Sequence, residues 1–303
     1  MRILRRLLSY LRPYWWQATI TYICLLAITI LNLVVPWLVK TVIDYALSGG
    51  VTVYLLQAAL AIIGISAVKA AFGFGQRYLT EWLSLRAAYD LRNAFYDHVQ
   101  RLSFAYHDAA QTGELMSRAT SDVDMVRQFI GTGLMEAANI LLILFSTLVI
   151  LFQVDWQLTL VSLIPIPPLA FLGIRFGRVI RPHFQGIQAQ LAKLSTLLQE
   201  SLAGVRVVKA FAREPYESKR FSEENRELMK RRLRVMKIWG FNFPFMTFLI
   251  GLSTILILWY GGRQVIAGHL TVGTLVAFNG YLLMLAWPVQ RLGWLVDIVS
   301  RAL

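Results

Sequence analysis

The sequence predicts an all-α polytopic membrane protein: six transmembrane helices, several continuing as long cytoplasmic extensions. Three observations carry that class. The 303 residues are 57% hydrophobic and only 16% charged, with 17 Phe, 12 Tyr and 9 Trp. Windows free of Asp, Glu, Lys and Arg fall at 13–39, 45–68, 137–154, 156–174, 238–262 and 264–290. Each is near or above the roughly 20 residues a helix needs to cross about 30 Å of hydrocarbon. Lys and Arg sit before the first window, in 76–127, in 175–237 and after 290, leaving only Lys40 and Arg263 for the other side and Lys69 within a span. That asymmetry sets both termini in the cytoplasm of a multi-pass plasma (inner) membrane protein.

Residues 1–12 come first. Leu4, Leu7, Leu8 and Leu11 form one apolar stripe with Arg2, Arg5, Arg6 and Arg12 largely off it, the pattern of an elbow helix lying in the inner interface. The positive flank is that of a signal peptide, but the apolar stretch behind it is too long and lacks a small-residue cleavage site, so it reads as retained. The six-span domain, 13–303, follows, with spans at about 13–44, 51–76, 128–153, 156–176, 238–261 and 271–292 and cytoplasmic loops at about 77–127 and 177–237. Short outer and long inner connections, twice over, give two three-span halves without a letter-by-letter repeat.

The net charge of +13 follows from this topology and from contact with anionic membrane lipids; it does not call for nucleic acid. The single cysteine, Cys24, excludes a disulfide or Cys-based metal site within one chain. His98, His107, His183 and His269 have no ligand spacing, so no metal is expected. "GLST" at 251–254 with His269 beyond it fails as an intramembrane serine protease: the serine lacks a following glycine and the histidine sits in an outer turn. No catalytic residue is expected.

The polar residues inside the spans are costly there, a charge by at least about 2.5 kcal/mol. Lys69, toward the inner end of span two, reads as a snorkelling cation. Glu136 and Asn139, one turn apart in span three, form a candidate substrate cavity with Asn32, Asn242 and Asn279. Interhelical hydrogen bonding is the competing role for each. Pro165, Pro167 and Pro168 should kink span four.

The inner loops carry helical periodicity. Leu91, Phe95, Val99 and Leu102 recur at helical spacing, and residues 187–211 are amphipathic. At about 1.5 Å per residue the latter reach roughly 35 Å beyond the membrane. In "FAREPYESKRF", residues 211–221, Pro215 disfavours helix at Glu214 and suits the first position of a new one. The rod should therefore run to Phe211 and break near Glu214–Pro215 into a short transverse helix. Phe104 and Tyr106 hold the corresponding place in the first loop. Aromatics on a polar tip far from lipid point to a protein partner.

Four stretches in order then resemble one family: "VVPWLVKTVID", "TGELMSRATSDVDMVRQFI", "LQESLAGVRVVKAFAREPYESKRF" and "GHLTVGTLVAFNGYLLMLAWPVQRL". Together they resemble the transmembrane domain of ABC exporter half-transporters, the multidrug and lipid-flippase type being most similar. The resemblance implies the ABC exporter type 1 transmembrane fold and assigns the two tips as coupling helices that dock on nucleotide-binding domains. They would carry Phe104, Ala105, Tyr106, His107 and Asp108 in the first, and Phe211, Arg213, Glu214, Pro215, Tyr216 and Glu217 in the second. Pro215 is not a residue the family fixes, which leaves the second helix's start open by a residue or two.

The glycine pair of "GHLTVG" is followed by Thr274 and Leu275, where a phosphate loop needs Lys and Ser or Thr. The nucleotide-binding domain is thus expected outside residues 1–303, either excised or a separate polypeptide, with ATP and Mg bound there and no cofactor here. "LVDIVSRAL" breaks off in mid-helix, which favours excision. The expected partners are a second half-transporter, identical or different, the nucleotide-binding domains, membrane lipids and a hydrophobic or amphiphilic substrate. The expected function is ATP-driven export by alternating access. The rival is a non-transporting, ATPase-regulated channel or receptor scaffold, which single-channel conductance would reveal.

Overall fold

The computed structural model describes Tyr10 and residues 12–47 and 53–302, and every segment longer than a turn is helical. The elbow helix expected at 1–12 falls outside the described residues, apart from Tyr10 and Arg12. After a 3-10 turn at Arg12–Tyr14 come α1 (Trp15–Leu47) and α2 (Val53–Gln100). The first hairpin tip is α3 (Phe104–Ala109). A rod then runs from Thr112 to Val154, made of α4 (Thr112–Ser117), α5 (Val123–Gln128) and α6 (Leu134–Val154) joined by π turns at Arg118–Asp122 and Phe129–Gly133. A sharp turn leads to α7 (Trp156–Leu163) and α8 (Ile166–Ala203). The second tip holds α9 (Val205–Ala210), and α10 (Glu214–Leu256) returns to the membrane. A π turn at Ile257–Gly261, α11 (Gly262–Ile266) and α12 (Val272–Ala302) complete the chain.

Six of these helical rods are long and apolar enough to cross a bilayer. At about 1.5 Å per residue, α2 is about 72 Å long and α8 about 57 Å, well beyond a hydrocarbon layer of about 30 Å. The surplus forms paired rods beyond the spans. Local chemistry sets the breaks. Asp155 ends α6 in extended geometry and caps α7, its carboxylate accepting the Leu158 N–H at 2.7 Å. Ile164–Pro165 interrupts the fourth span, because prolines at 165, 167 and 168 remove helix donors. The expected kink is there.

α12 is the most enclosed span. Its Ala277, Phe278, Tyr281 and Leu282 pack with Leu151, Leu158 and Ile257. Leu285 and Val289 pack with Leu169, Met246 and Leu249. Lipid is as apolar as these side chains, so inside the bilayer the gain comes from close packing. Outside it the hydrophobic effect applies. Ile187, Leu228 and Val235 form the buried seam of the α8–α10 rod pair, each worth about 1.5–3 kcal/mol of burial.

Candidate coupling tips and membrane polar sites

The two hairpin tips are built differently. In the first, Ser103 in extended geometry starts α3, and Ala110 N–H to the Tyr106 carbonyl at 2.8 Å closes it. The imidazole Nε2 of His107 lies 3.1 Å from the Val99 carbonyl, tying the tip back to α2. Tyr106 meets the His107 ring edge to face. Phe104 is 89% exposed, so it does not pack against its own rods. Ala105, His107 and Asp108 are exposed beside it.

In the second tip the chain turns at Phe211–Arg213, just before Glu214–Pro215 where the break is expected, but the structure corrects the place of the short helix. The rod stops at Gly204 (φ −91°, ψ 10°) rather than running to Phe211, and the short helix is α9, before the turn. Ala212 has a φ of 51°, a left-handed conformation that few non-glycine residues adopt. Glu214 and Pro215 then open α10, a single rod from there to the membrane. The proline signal for a helix start was sound; it marks the long rod. In the first turn Pro215 lacks only an N–H that would have no helical partner. Phe211 is 74% and Tyr216 59% exposed, and Arg213 is exposed beside them.

Ion pairs hold this tip. Lys209 reaches Glu214 at 2.9 Å across the turn, and its ammonium keeps the Glu214 carboxyl below the usual range. Half-buried Glu217 accepts from Ser201 at 3.3 Å, and Arg220 lies 3.7 Å from both Glu217 and Glu200. Higher up, Glu224 takes Lys193 at 2.6 Å and the Gln190 amide at 2.7 Å. Lys193 first, then Gln190, holds its carboxyl below the ordinary value. The first rod pair has its own brace: Arg127 donates to Asp124 at 2.9 Å and to Glu81 of α2 at 2.7 Å. Arg127 keeps the Asp124 carboxyl low. Near the membrane, Tyr14 donates to Asp90 at 2.7 Å and accepts from Arg86 at 2.9 Å.

Within the membrane the polar residues take separate roles. Asn279 accepts from Thr254 at 3.1 Å, linking α12 to α10. Asn242 donates to the Ile238 carbonyl one turn back at 2.9 Å, a bond within its own helix. Glu136 and Asn139 are half-buried. On α6 they lie away from the exposed stripe of Leu141, Phe145, Val149 and Phe152. Asn32 accepts from the Lys69 ammonium at 2.9 Å. Lys69 thus engages α1 through a neutral amide. Sequence reasoning also missed Asp44, which accepts from Thr271 and Gly273 at the start of α12. Its only signal was a lone carboxylate at the end of an apolar window. Among the described residues no group of His, Cys, Asp and Glu could hold a metal ion.

Fold and tips define a six-span α-helical membrane domain with two long helical hairpins extending beyond the spans. The family profile described as the ABC transporter transmembrane region matches residues 19–289, and the chain belongs to that family. It is 34% identical over 292 residues to an ATP-dependent lipid A-core flippase of Syntrophus aciditrophicus, covering 96% of this chain and 49% of the relative. It is 33% identical over 302 residues to an uncharacterized ABC transporter ATP-binding protein of Bacillus subtilis, covering 100% and 52%. A multidrug resistance-like ATP-binding protein of Escherichia coli is 31% identical over 303 residues, covering 99% and 51%. The chain spans about half the length of these curated relatives.

Proposed function

We propose that the chain is the membrane half of an ATP-driven exporter of amphiphilic or lipid-like molecules in the plasma (inner) membrane. It works as a dimer with a second half-transporter, both termini cytoplasmic, and nucleotide-binding domains carrying ATP and Mg dock on the two tips. One observation carries the reading. Both inner hairpins end in a short helix or turn whose aromatic rings are uncovered, at the far end of rods stapled by ion pairs. Phe104, Phe211 and Tyr216 have no lipid to meet there, and such rings are the anchors of protein interfaces. The relatives named for ATP binding, and the flippase and multidrug names among them, support the energy source and the substrate class.

Mechanically, domain closure on ATP draws the tips together. The rods transmit that displacement because their seams and ion pairs leave little slack, and rigid-body rocking alternates access to a cavity between the halves. The break at Ile164–Pro165 gives span four a place to bend. Glu136 and Asn139 are the polar lining this reading assigns. The test is transport: the protein joined to its nucleotide-binding domains, in proteoliposomes, accumulates a fluorescent amphiphile such as rhodamine 6G when given ATP and Mg, and vanadate stops it. Ion conductance without accumulation would contradict the reading in favour of a channel.

A further inference from the structure

We propose that the π turn at Phe129–Gly133 is a movable joint that exchanges the side chain the third span shows to the cavity, Glu136 in one register and Met135 in the other. This rests on the exporter reading, which assigns Glu136 to that cavity. A π turn is an α-helix holding one residue too many: the Leu134 N–H reaches back five residues, to the Phe129 carbonyl, instead of four. The surplus residue belongs to no fixed position. Widening a turn further along and closing the present one moves it, and each residue it passes turns by about 100° and takes the place of its successor.

The turn lies between two fixed ends. Below it, Arg127 is braced to Asp124 at 2.9 Å and to Glu81 of α2 at 2.7 Å. Above it, Ile140 is 1% and Leu151 0% exposed. The stretch between reads "GTGLMEAAN", 131–139, where Gly131, Gly133, Ala137 and Ala138 leave a widened turn little to push aside. The facing helix is small as well: Ser84, Ala87 and Ala88 of α2 are buried, and a Cβ on Gly131 would lie 3.0 Å from that of Ser84. Moved up to 135–139, just below Ile140, the turn puts Met135 where Glu136 stands and carries Glu136 toward the place of Ala137. Met135 is 9% exposed in the present register. The span thereby trades a carboxylate for a thioether while the brace and the packed outer part stay in place. That exchange lowers affinity for a substrate's polar part in one state relative to the other, which is what release requires.

The experiment uses the transporter joined to its nucleotide-binding domains, in proteoliposomes and with Cys24→Ser as background. Rates of labelling by a water-soluble maleimide are compared without nucleotide and with ADP and vanadate. Glu136→Cys should lose reactivity in the trapped state and Met135→Cys should gain it, whereas rigid rocking alone moves both in the same sense. Deleting Thr132, the one residue of the turn that is not buried, removes the surplus and leaves a plain α-helix with both ends in their present register. That protein should unfold no earlier than the wild type, keep Met135→Cys protected in both states and lose ATP-driven uptake of rhodamine 6G. Parallel changes at the two cysteines, uptake at the wild-type rate after the deletion, or a deletion that prevents folding would each overturn the joint. Where the wild type still accumulates rhodamine 6G, such a result refutes the joint alone. A wild type that never accumulates it refutes the exporter reading, and the maleimide pattern still decides the joint.

Discussion

Gly273 donates its backbone N–H to the Asp44 carboxylate at 2.9 Å, and Thr271 donates its hydroxyl to the other oxygen at 2.8 Å. The last charge of the first span thus caps the first turn of the last, where free N–H groups and the helix dipole favour an anion. A side chain on Gly273 has no room: its Cβ would collide with the Lys40 carbonyl and lie 2.6 Å from Asp44. Gly273→Ala should therefore destabilise the domain by about 1–3 kcal/mol through forced separation of α1 and α12. Asp44→Ala should cost about 1 kcal/mol as a lost cap. Unfolding in detergent measures both, and a Gly273→Ala protein as stable as the wild type would show that the two spans do not approach this closely.

The polar pair of the third span gives a second prediction. Cysteines placed at Glu136 and Asn139 should react with a water-soluble maleimide faster than cysteines at Leu142 and Phe145, because the proposed function puts the pair along the cavity and Phe145 belongs to the exposed stripe on the other side of α6. Equal protection at all four positions would return Glu136 and Asn139 to interhelical hydrogen bonding.

Class, span order and the long inner rods were legible because they depend on sums over many residues: charge-free windows, the Lys and Arg asymmetry, helical spacing. Individual contacts were less so, since spacing reports a face and not the partner across it. Gly273 drew notice only as half of a failed phosphate loop, although its role is to let Lys40 and Asp44 come close. Lys69 read as a snorkelling side chain because Asn32 is a neighbour only once α1 and α2 pack together. At the second tip Pro215 places the turn to within a few residues, since the chain turns at Phe211–Arg213 just before it, but the short helix expected after the turn lies before it. Gly204, a weaker signal in sequence, is where the helix ladder breaks, and the strained φ of Ala212 has no sequence signature at all.

A third prediction concerns pH. Glu224 titrates below its ordinary value of 4.5 because Lys193 and Gln190 stabilise the carboxylate, and Glu214 does so through Lys209. A lowered carboxyl contributes its full stabilisation above the ordinary value and loses it as pH falls through the folded value. The α8–α10 rod pair should therefore be insensitive to pH between 6 and 8, roughly, and loosen only below about 4.5. Hydrogen exchange over residues 186–237, corrected for the intrinsic rate, would report it. Glu224→Gln should remove part of the acid sensitivity; unchanged acid loosening in that variant would mean the ion pair does not brace the rods.

A fourth prediction separates this chain from its ATPase. Residues 1–303 alone should show no saturable binding of ATP at micromolar to millimolar concentration, since the sequence contains no loop able to cradle a triphosphate. Specific binding of a fluorescent ATP analogue, displaced by unlabelled ATP, would contradict it.

The central claim is that the tips transmit nucleotide-driven closure, and one double substitution tests it. In the transporter joined to its nucleotide-binding domains, Phe211→Ala with Tyr216→Ala removes exposed rings, so stability should change by less than about 0.5 kcal/mol for each. Buried against a nucleotide-binding domain, the same rings are each worth about 2 kcal/mol or more of docking. The measurement is ATP-driven amphiphile uptake alongside ATPase activity in the same proteoliposomes. Uptake and substrate-stimulated ATPase should collapse together while basal ATPase and thermal stability persist. Uptake at the wild-type rate would contradict the account.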